Sequence, residues 1–274
     1  MLDLDPDLGS GIPQQEWEQA RQASRANVVR VGQGEWALPA AADRADIIGM
    51  IVIEGVLSRE IALDDHVSLE LLCRGDALLL PTATALGSRL GGGVKLAGLS
   101  HARLIVLSSS FIHAAARWPC LLTNLHRRLE AQRQRLAVQG LAAHLPRAED
   151  RLLLTLWLLA DSCGRVTPNG TVLPLALTHD VLARLAAARR PTITLALHAL
   201  ERLDCIRRRR DGHLILTDAA RDRVNAINRA SDSSPALGPS VVLRQFLNET
   251  TAQTLPFAQV DSDKQTELSA AAHG

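Results

Sequence analysis

The stretch Leu177–Thr217, LTHDVLARLAAARRPTITLALHALERLDCIRRRRDGHLILT, decides how the rest of the chain is read. It divides into a helix, a tight bend, a second helix and a two-stranded hairpin. Leu182 and Leu185 give the first helix an apolar side. Pro191 fits the first turn of the second helix, where a missing backbone N–H costs nothing. Ile193, Leu197 and Leu200 then fall at i, i+4 and i+7, one face of a helix, and Arg190, Thr194 and His198 lie away from it. A helix that buries one side and offers Arg and hydroxyl groups on the other suits the DNA major groove. The arms Cys205–Arg209 and His213–Thr217 follow, joined at Asp211-Gly212, a strong hairpin signal. Arg207, Arg208, Arg209 and Arg210 supply phosphate contacts. Helix, bend, helix and basic hairpin together predict a winged helix-turn-helix.

Composition limits what surrounds this element. At 274 residues the chain has room for two domains. A formal net charge of +1 excludes a uniformly basic coat. Between Arg147 and Arg223, however, 13 Arg stand against 9 Asp and Glu, about +4 on that part alone. A local patch of this kind is what phosphate binding needs. Cys73, Cys120, Cys163 and Cys205 show no CxxC or finger spacing, so neither zinc nor an iron–sulfur cluster is expected, and the thiols read as reduced. The start MLDLDPDLGSG is acidic and lacks an apolar core, so it is not a signal peptide. No apolar run reaches a membrane span; a cytoplasmic protein without membrane contact is expected. Gly91-Gly92-Gly93 with Lys95 fails the phosphate-loop spacing and reads as a loop. There is no H-E-x-x-H pair, no G-x-S-x-G elbow and no marked carboxylate pair. The expectation is a non-enzyme without a cofactor.

The organisation along the chain is α+β. Residues 1–30 form a polar segment with a short surface helix within 14–23. Residues 31–118 carry apolar or alternating runs (47–53, 56–63, 67–73, 77–80, 103–107) broken by Gly and Asp, a β pattern. The tripeptide Arg74-Gly75-Asp76 is read as a turn. From Pro119 to about residue 145 a long helix is expected. Leu122, Leu129 and Leu136 recur every seven residues, with Leu125, Gln132 and Gln139 at companion positions, the pattern of a short coiled coil. The alternative is an amphipathic helix packed on its own domain. Residues 146–226 hold the winged helix, with a further hairpin around Pro168-Asn169-Gly170. Residues 227–274, rich in Ser, Asp, Thr and Gln, read as a disordered tail.

The winged-helix stretch resembles the DNA-binding domain of Crp/Fnr-type bacterial transcription regulators. The resemblance rests on Thr178, the run Arg190-Pro191-Thr192, and Leu197, Leu200 and Leu203. The upstream run IVIEGVLSREI…LELLCRGDALLLP is similar to the β-roll of the cyclic-nucleotide-binding fold, and the resemblance to the family as a whole covers almost the whole chain up to about residue 226. The resemblance implies a β-roll sensor, a dimerising long helix built on Leu122, Leu125, Leu129, Gln132 and Leu136, and a DNA reader. Residues expected at the DNA are Thr178, Arg189, Arg190, Thr192, Thr194, His198, Arg208 and Arg210. The family often has Ser at Arg189, and reads bases with Glu and Arg where this chain has Pro191 and Leu195, so a different operator is expected. The family's phosphate cassette aligns with Leu79–Lys95, which has no Glu and follows Arg89 with Leu90. Binding of cyclic AMP is therefore not expected, although Arg89, Gln132 and Arg133 stand where ligand contacts would fall. The implied partners are an operator duplex, a second copy of the chain, RNA polymerase and an unidentified small effector. Two rival readings stay open: a constitutive DNA binder with a vestigial sensor, and a protein-interaction scaffold that does not bind DNA.

Overall fold

The computed structural model describes residues 1–38, 46–63, 66–80 and 93–232. They form two compact units: Met1–Thr155 together with Thr178–Thr194, and Leu156–Leu177 together with the chain from Leu195 onward.

The first unit is built on two four-stranded antiparallel sheets. One contains β1 (Val28–Val31), β8 (Ala102–Ser108), β3 (Ile47–Glu54) and β6 (Ala77–Leu79), in that order. The other contains β2 (Gly34–Trp36), β7 (Gly93–Gly98), β4 (Leu57–Leu63) and β5 (His66–Leu72). Strands β3 and β8 are apolar almost throughout because both of their faces are covered. Side chains alternate along a strand, and the alternation sorts them into two cores. Met50, Val52, Leu104 and Val106 pack with Leu57, Leu72 and Leu96 of the second sheet. Ile51, Ile53, Ile105 and Leu107 pack instead with Phe111, Trp118, Leu121 and Leu125 from the helices. Gly55 closes the β3–β4 turn at φ +79, and a Cβ there would lie 2.2 Å from the His101 carbonyl oxygen.

Three helices flank this β-roll: α1 (Trp17–Ala23), α2 (Ser109–Arg117) and the 23-residue α3 (Cys120–Ala142). The polar-looking N-terminal segment contains helical residues within 14–23, and its first residues are anchored in the core. Met1, Leu2 and Leu8 are buried in the same core as Leu121 and Leu125. The Asn124 amide donates to the carbonyls of Leu8 (3.0 Å) and Ser10 (2.8 Å). Arg128 forks onto the buried Asp5 carboxylate, one contact being 2.8 Å, and the Trp118 indole donates to Glu16 at 2.7 Å.

In the second unit, β9 (Arg165–Thr167) and β10 (Gly170–Leu173) form a hairpin at Pro168-Asn169-Gly170, with Gly170 at φ +118. β11 (Ile206–Arg208) and β12 (Leu214–Leu216) form a second hairpin, and the four make one sheet in the order β11-β12-β10-β9. Helix α4 (Ala148–Cys163) precedes the first hairpin, and α7 (Asp218–Asp232) follows the second. The last helix thus extends beyond residue 226, where the sequence pattern placed the start of a tail. The chain after Asp232 lies outside the described residues, as do Arg89 and most of the cassette-like stretch.

Candidate nucleic-acid interface

Helix α5 (His179–Leu185) starts on Thr178, whose hydroxyl accepts a hydrogen bond from the Val181 N–H at 3.3 Å. That is the N-cap geometry which satisfies an orphan donor of the first turn. The helix stops at Ala186 and Ala187. Ala187 takes φ +46, and the Ala188 N–H bonds back to the Ala183 carbonyl at 2.9 Å. This six-to-one bond across a left-handed residue ends a helix and redirects the chain. Helix α6 (Arg190–Arg202) follows, with Pro191 in its first turn.

The burial of α6 divides it cleanly. Ile193, Ala196, Leu197 and Leu200 are buried, while Pro191, Leu195, His198 and Arg202 are exposed. The exposed four are spaced i, i+4, i+7 and i+11, so they form one outer stripe. Arg190 lies beside it, with 69% of its side chain exposed and its Nε 3.7 Å from Asp180, a loose surface pair. Arg189 is exposed just ahead of the helix, and Thr192 is half-buried. Thr194 differs from the sequence expectation. Its hydroxyl donates to the Arg190 carbonyl at 3.2 Å and lies 3.0 Å from His179 Nδ1, so it is engaged between α5 and α6. Leu195 and Arg202 were absent from the sequence-derived set. Their signal was available: they are the residues of the helix furthest around from Ile193, Leu197 and Leu200.

The second hairpin sorts its four arginines. Asp204, held at φ +51 as α6 ends, receives Arg207 through two 2.8 Å bonds. The Arg207 guanidinium holds the Asp204 carboxyl below its ordinary value. Arg209 pairs with Asp211 at 3.1 Å. The Asp211 carboxyl is likewise lowered, chiefly by the backbone N–H of His213. Among the described residues Arg208 makes a long contact, 3.5 Å, to Glu201, which also lies 3.3 Å from His198 Nδ1. Arg210 stands exposed in the loop. The loop spans three residues rather than the two suggested by Asp211-Gly212. The Arg209 N–H bonds to the His213 carbonyl (2.8 Å), the Gly212 N–H bonds to Arg209 (3.1 Å), and Gly212 takes φ +83. A type I turn closed by a left-handed glycine gives this hairpin.

Within the β-roll, the positions expected near a ligand are occupied by a polar cluster. Glu70 is buried and pairs with Arg59, its cross-strand neighbour. The Gln132 amide donates to Glu70 at 2.7 Å, and its carbonyl oxygen accepts from the Ala77 N–H at 3.2 Å. Asp76 of the Arg-Gly-Asp turn is buried; it accepts from the Cys73 N–H at 2.9 Å and pairs with Arg135. Arg133 points away, 70% exposed, and bonds Glu130, whose carboxyl it holds at about 2. Among the described residues no group of three or more His, Cys, Asp or Glu is arranged to hold a metal. None of their helices is long and apolar enough to cross a membrane.

Helix α3 also differs from the sequence reading. Leu125 is buried in its own unit's core, Gln132 is committed to Glu70, and Gln139 donates to the Leu69 carbonyl at 3.0 Å. The companion positions are therefore used internally and do not face outward. Leu122 and Leu136 are exposed and Leu129 is half-buried against the unit's own core, with His126, Arg133 and Gly140 exposed four residues after each.

Residues 150–221 match the Crp-like helix-turn-helix domain family. No curated protein sequence matches the chain. Among solved structures, a cyclic nucleotide-binding domain containing protein from Listeria monocytogenes aligns with a TM-score of 0.59 at 16% identity, over 79% of this chain and 98% of its own. A CooA mutant from Carboxydothermus hydrogenoformans aligns with a TM-score of 0.56 at 17% identity, over 80% and 94%. FixK2 from Bradyrhizobium japonicum gives 0.55 at 12% identity, over 72% and 95%. The family match covers residues 150–221, and the fold of the chain as a whole is that of these solved structures.

Proposed function

We propose that the protein is a homodimeric, sequence-specific DNA-binding transcription regulator. The observation that carries this reading is the outer stripe of α6, exposed along its length opposite a fully buried stripe and flanked by Arg190. A helix so divided presents itself to the major groove, while nearby cations meet phosphate. Thr178 and Thr192 border the start of the two helices, where backbone contacts fall, and Arg189 precedes α6 as a further cation. Arg190 and His198 are assigned to base edges. Thr194 supports them from within, because its hydroxyl is held by Arg190 and His179. Selection of bound genomic fragments tests the proposal: a recurring sequence with two related halves is expected, and enrichment no better than random fragments would refute it.

Of the hairpin arginines, Arg208 and Arg210 are assigned to phosphate, since Arg207 and Arg209 answer Asp204 and Asp211. Replacing Arg208 and Arg210 with Ala is expected to weaken binding to all sequences and flatten the salt slope by about one to two units. Titrations on operator and random duplexes at several salt concentrations check this; a loss confined to the operator would assign these residues to bases.

Dimerisation is assigned to the exposed stripe of α3. With Leu125 and Gln132 committed inward, the heptad pairs Leu122, Leu129 and Leu136 with His126, Arg133 and Gly140. The leucines then take the d-type role in the seam and the polar residues the a-type role.

The effector is assigned outside cyclic AMP. Glu70, Gln132 and Arg59 already answer one another, and a buried cyclic phosphate needs its own matched cation and donors. Calorimetry is expected to show no binding tighter than about 100 μM, roughly −5.5 kcal/mol, and cyclic AMP is expected to leave operator affinity unchanged. A micromolar isotherm coupled to tighter DNA binding would overturn this assignment.

A further inference from the structure

Leu195 is 71% exposed, the most exposed large apolar side chain among the described residues. It sits in the second turn of α6, at the centre of the outer stripe, between Pro191 one turn before and His198 and Arg202 after it. Its surroundings do not resemble an apolar docking patch. Arg190, His198 and Arg202 are close along the same helix, and all three are exposed. A surface with an apolar point, Leu195 beside Pro191, flanked by the exposed Arg190 and Arg202 matches a polyanion that carries an apolar group. In the major groove that group is the 5-methyl of thymine, the one apolar feature that base edges present there.

We infer that Leu195 determines specificity by packing on a thymine methyl in each half of the operator. The inference rests on the DNA-binding reading above. The chemistry discriminates in two directions. Against thymine, the side chain and the methyl remove apolar surface from water together. Against a G·C pair, Leu offers no donor for N7 or O6 and no acceptor for the cytosine amino group, so contact strips these atoms of water without replacement. An arginine at this point of the helix would favour guanine; the leucine turns the preference toward A·T.

The test uses the full-length protein and the operator it selects. Each thymine is replaced singly by uracil, which keeps every hydrogen-bonding group and lacks only the methyl. At one thymine per half-site, uracil is expected to weaken wild-type binding about fourfold, the worth of one buried methyl-sized group. The same replacement is expected to leave Leu195→Ala unaffected, because that variant has already lost the contact. Leu195→Met keeps an apolar tip and is expected to retain the uracil penalty. Wild type that selects an operator yet is indifferent to every uracil, or a penalty that persists unchanged in Leu195→Ala, overturns the role of Leu195 and leaves the DNA-binding reading intact. Wild type that selects no sequence overturns both.

Discussion

Leu136→Asp is expected to sediment as a monomer and to lose at least about a hundredfold in operator affinity. Leu136 is 37% exposed in the single chain, so an aspartate there stays hydrated and the subunit keeps its fold. In a paired seam the same carboxylate would be buried without a partner, which is strongly unfavourable. Loss of pairing removes the second half-site from the complex. Linked binding exceeds single-site binding by about 10²–10⁴ through effective concentration, which sets the size of the expected loss. An unchanged melting temperature at low protein concentration would confirm that the subunit is intact. Leu125→Asp makes the contrast: Leu125 lies in the subunit's own core, so that variant is expected to unfold. A Leu136→Asp protein that sediments as a dimer would move the interface off α3.

Arg190→Ala is expected to cost about 1–3 kcal/mol on the best operator, the range of one good base contact, and to relax the sequence preference. The side chain is well placed for this because its partner among the described residues, Asp180, is 3.7 Å away in an exposed pair. Such pairs contribute little and exchange readily for a stronger acceptor. Measuring affinity on operator and on random duplex separates the two possible contacts. A loss on the operator alone identifies base reading; an equal loss on both identifies a phosphate contact; no loss on either removes Arg190 from the interface.

The helix-turn-helix was legible because every level of the local code agreed: an apolar period of three to four, a proline in the first turn of the second helix, and a turn dipeptide between β-rich arms. Strand β7 was not. Gly93, Lys95 and Gly98 gave Gly93–Gly98 the texture of a loop, and only pairing with β2 and β4 makes it a strand. The short strand β2, Gly34–Trp36, was missed for the same reason, and β1, Val28–Val31, because it falls inside a segment that is polar on both sides. Helix α3 shows a different limit. Its heptad reveals which positions repeat, but a repeat does not say which side the subunit uses for itself. Leu125 looked like a seam residue and is core; Gln132 looked like a polar seam position and is the partner of Glu70. Leu195 was visible as a departure from the family pattern, yet its isolation on the outer face needed the burial of its neighbours to be known.

The N-terminal segment acts as a chaperone for the long helix. Met1, Leu2 and Leu8 cover Leu121 and Leu125, and Asp5 and the chain near Leu8 and Ser10 hold Arg128 and Asn124. This leaves α3 one uncovered stripe and hence one way to meet another helix. A chain lacking its first ten residues would present two adjacent oily stripes, wide enough for partners to associate in several registers. On the dimer reading proposed above, the first ten residues thereby narrow the quaternary arrangements open to the protein.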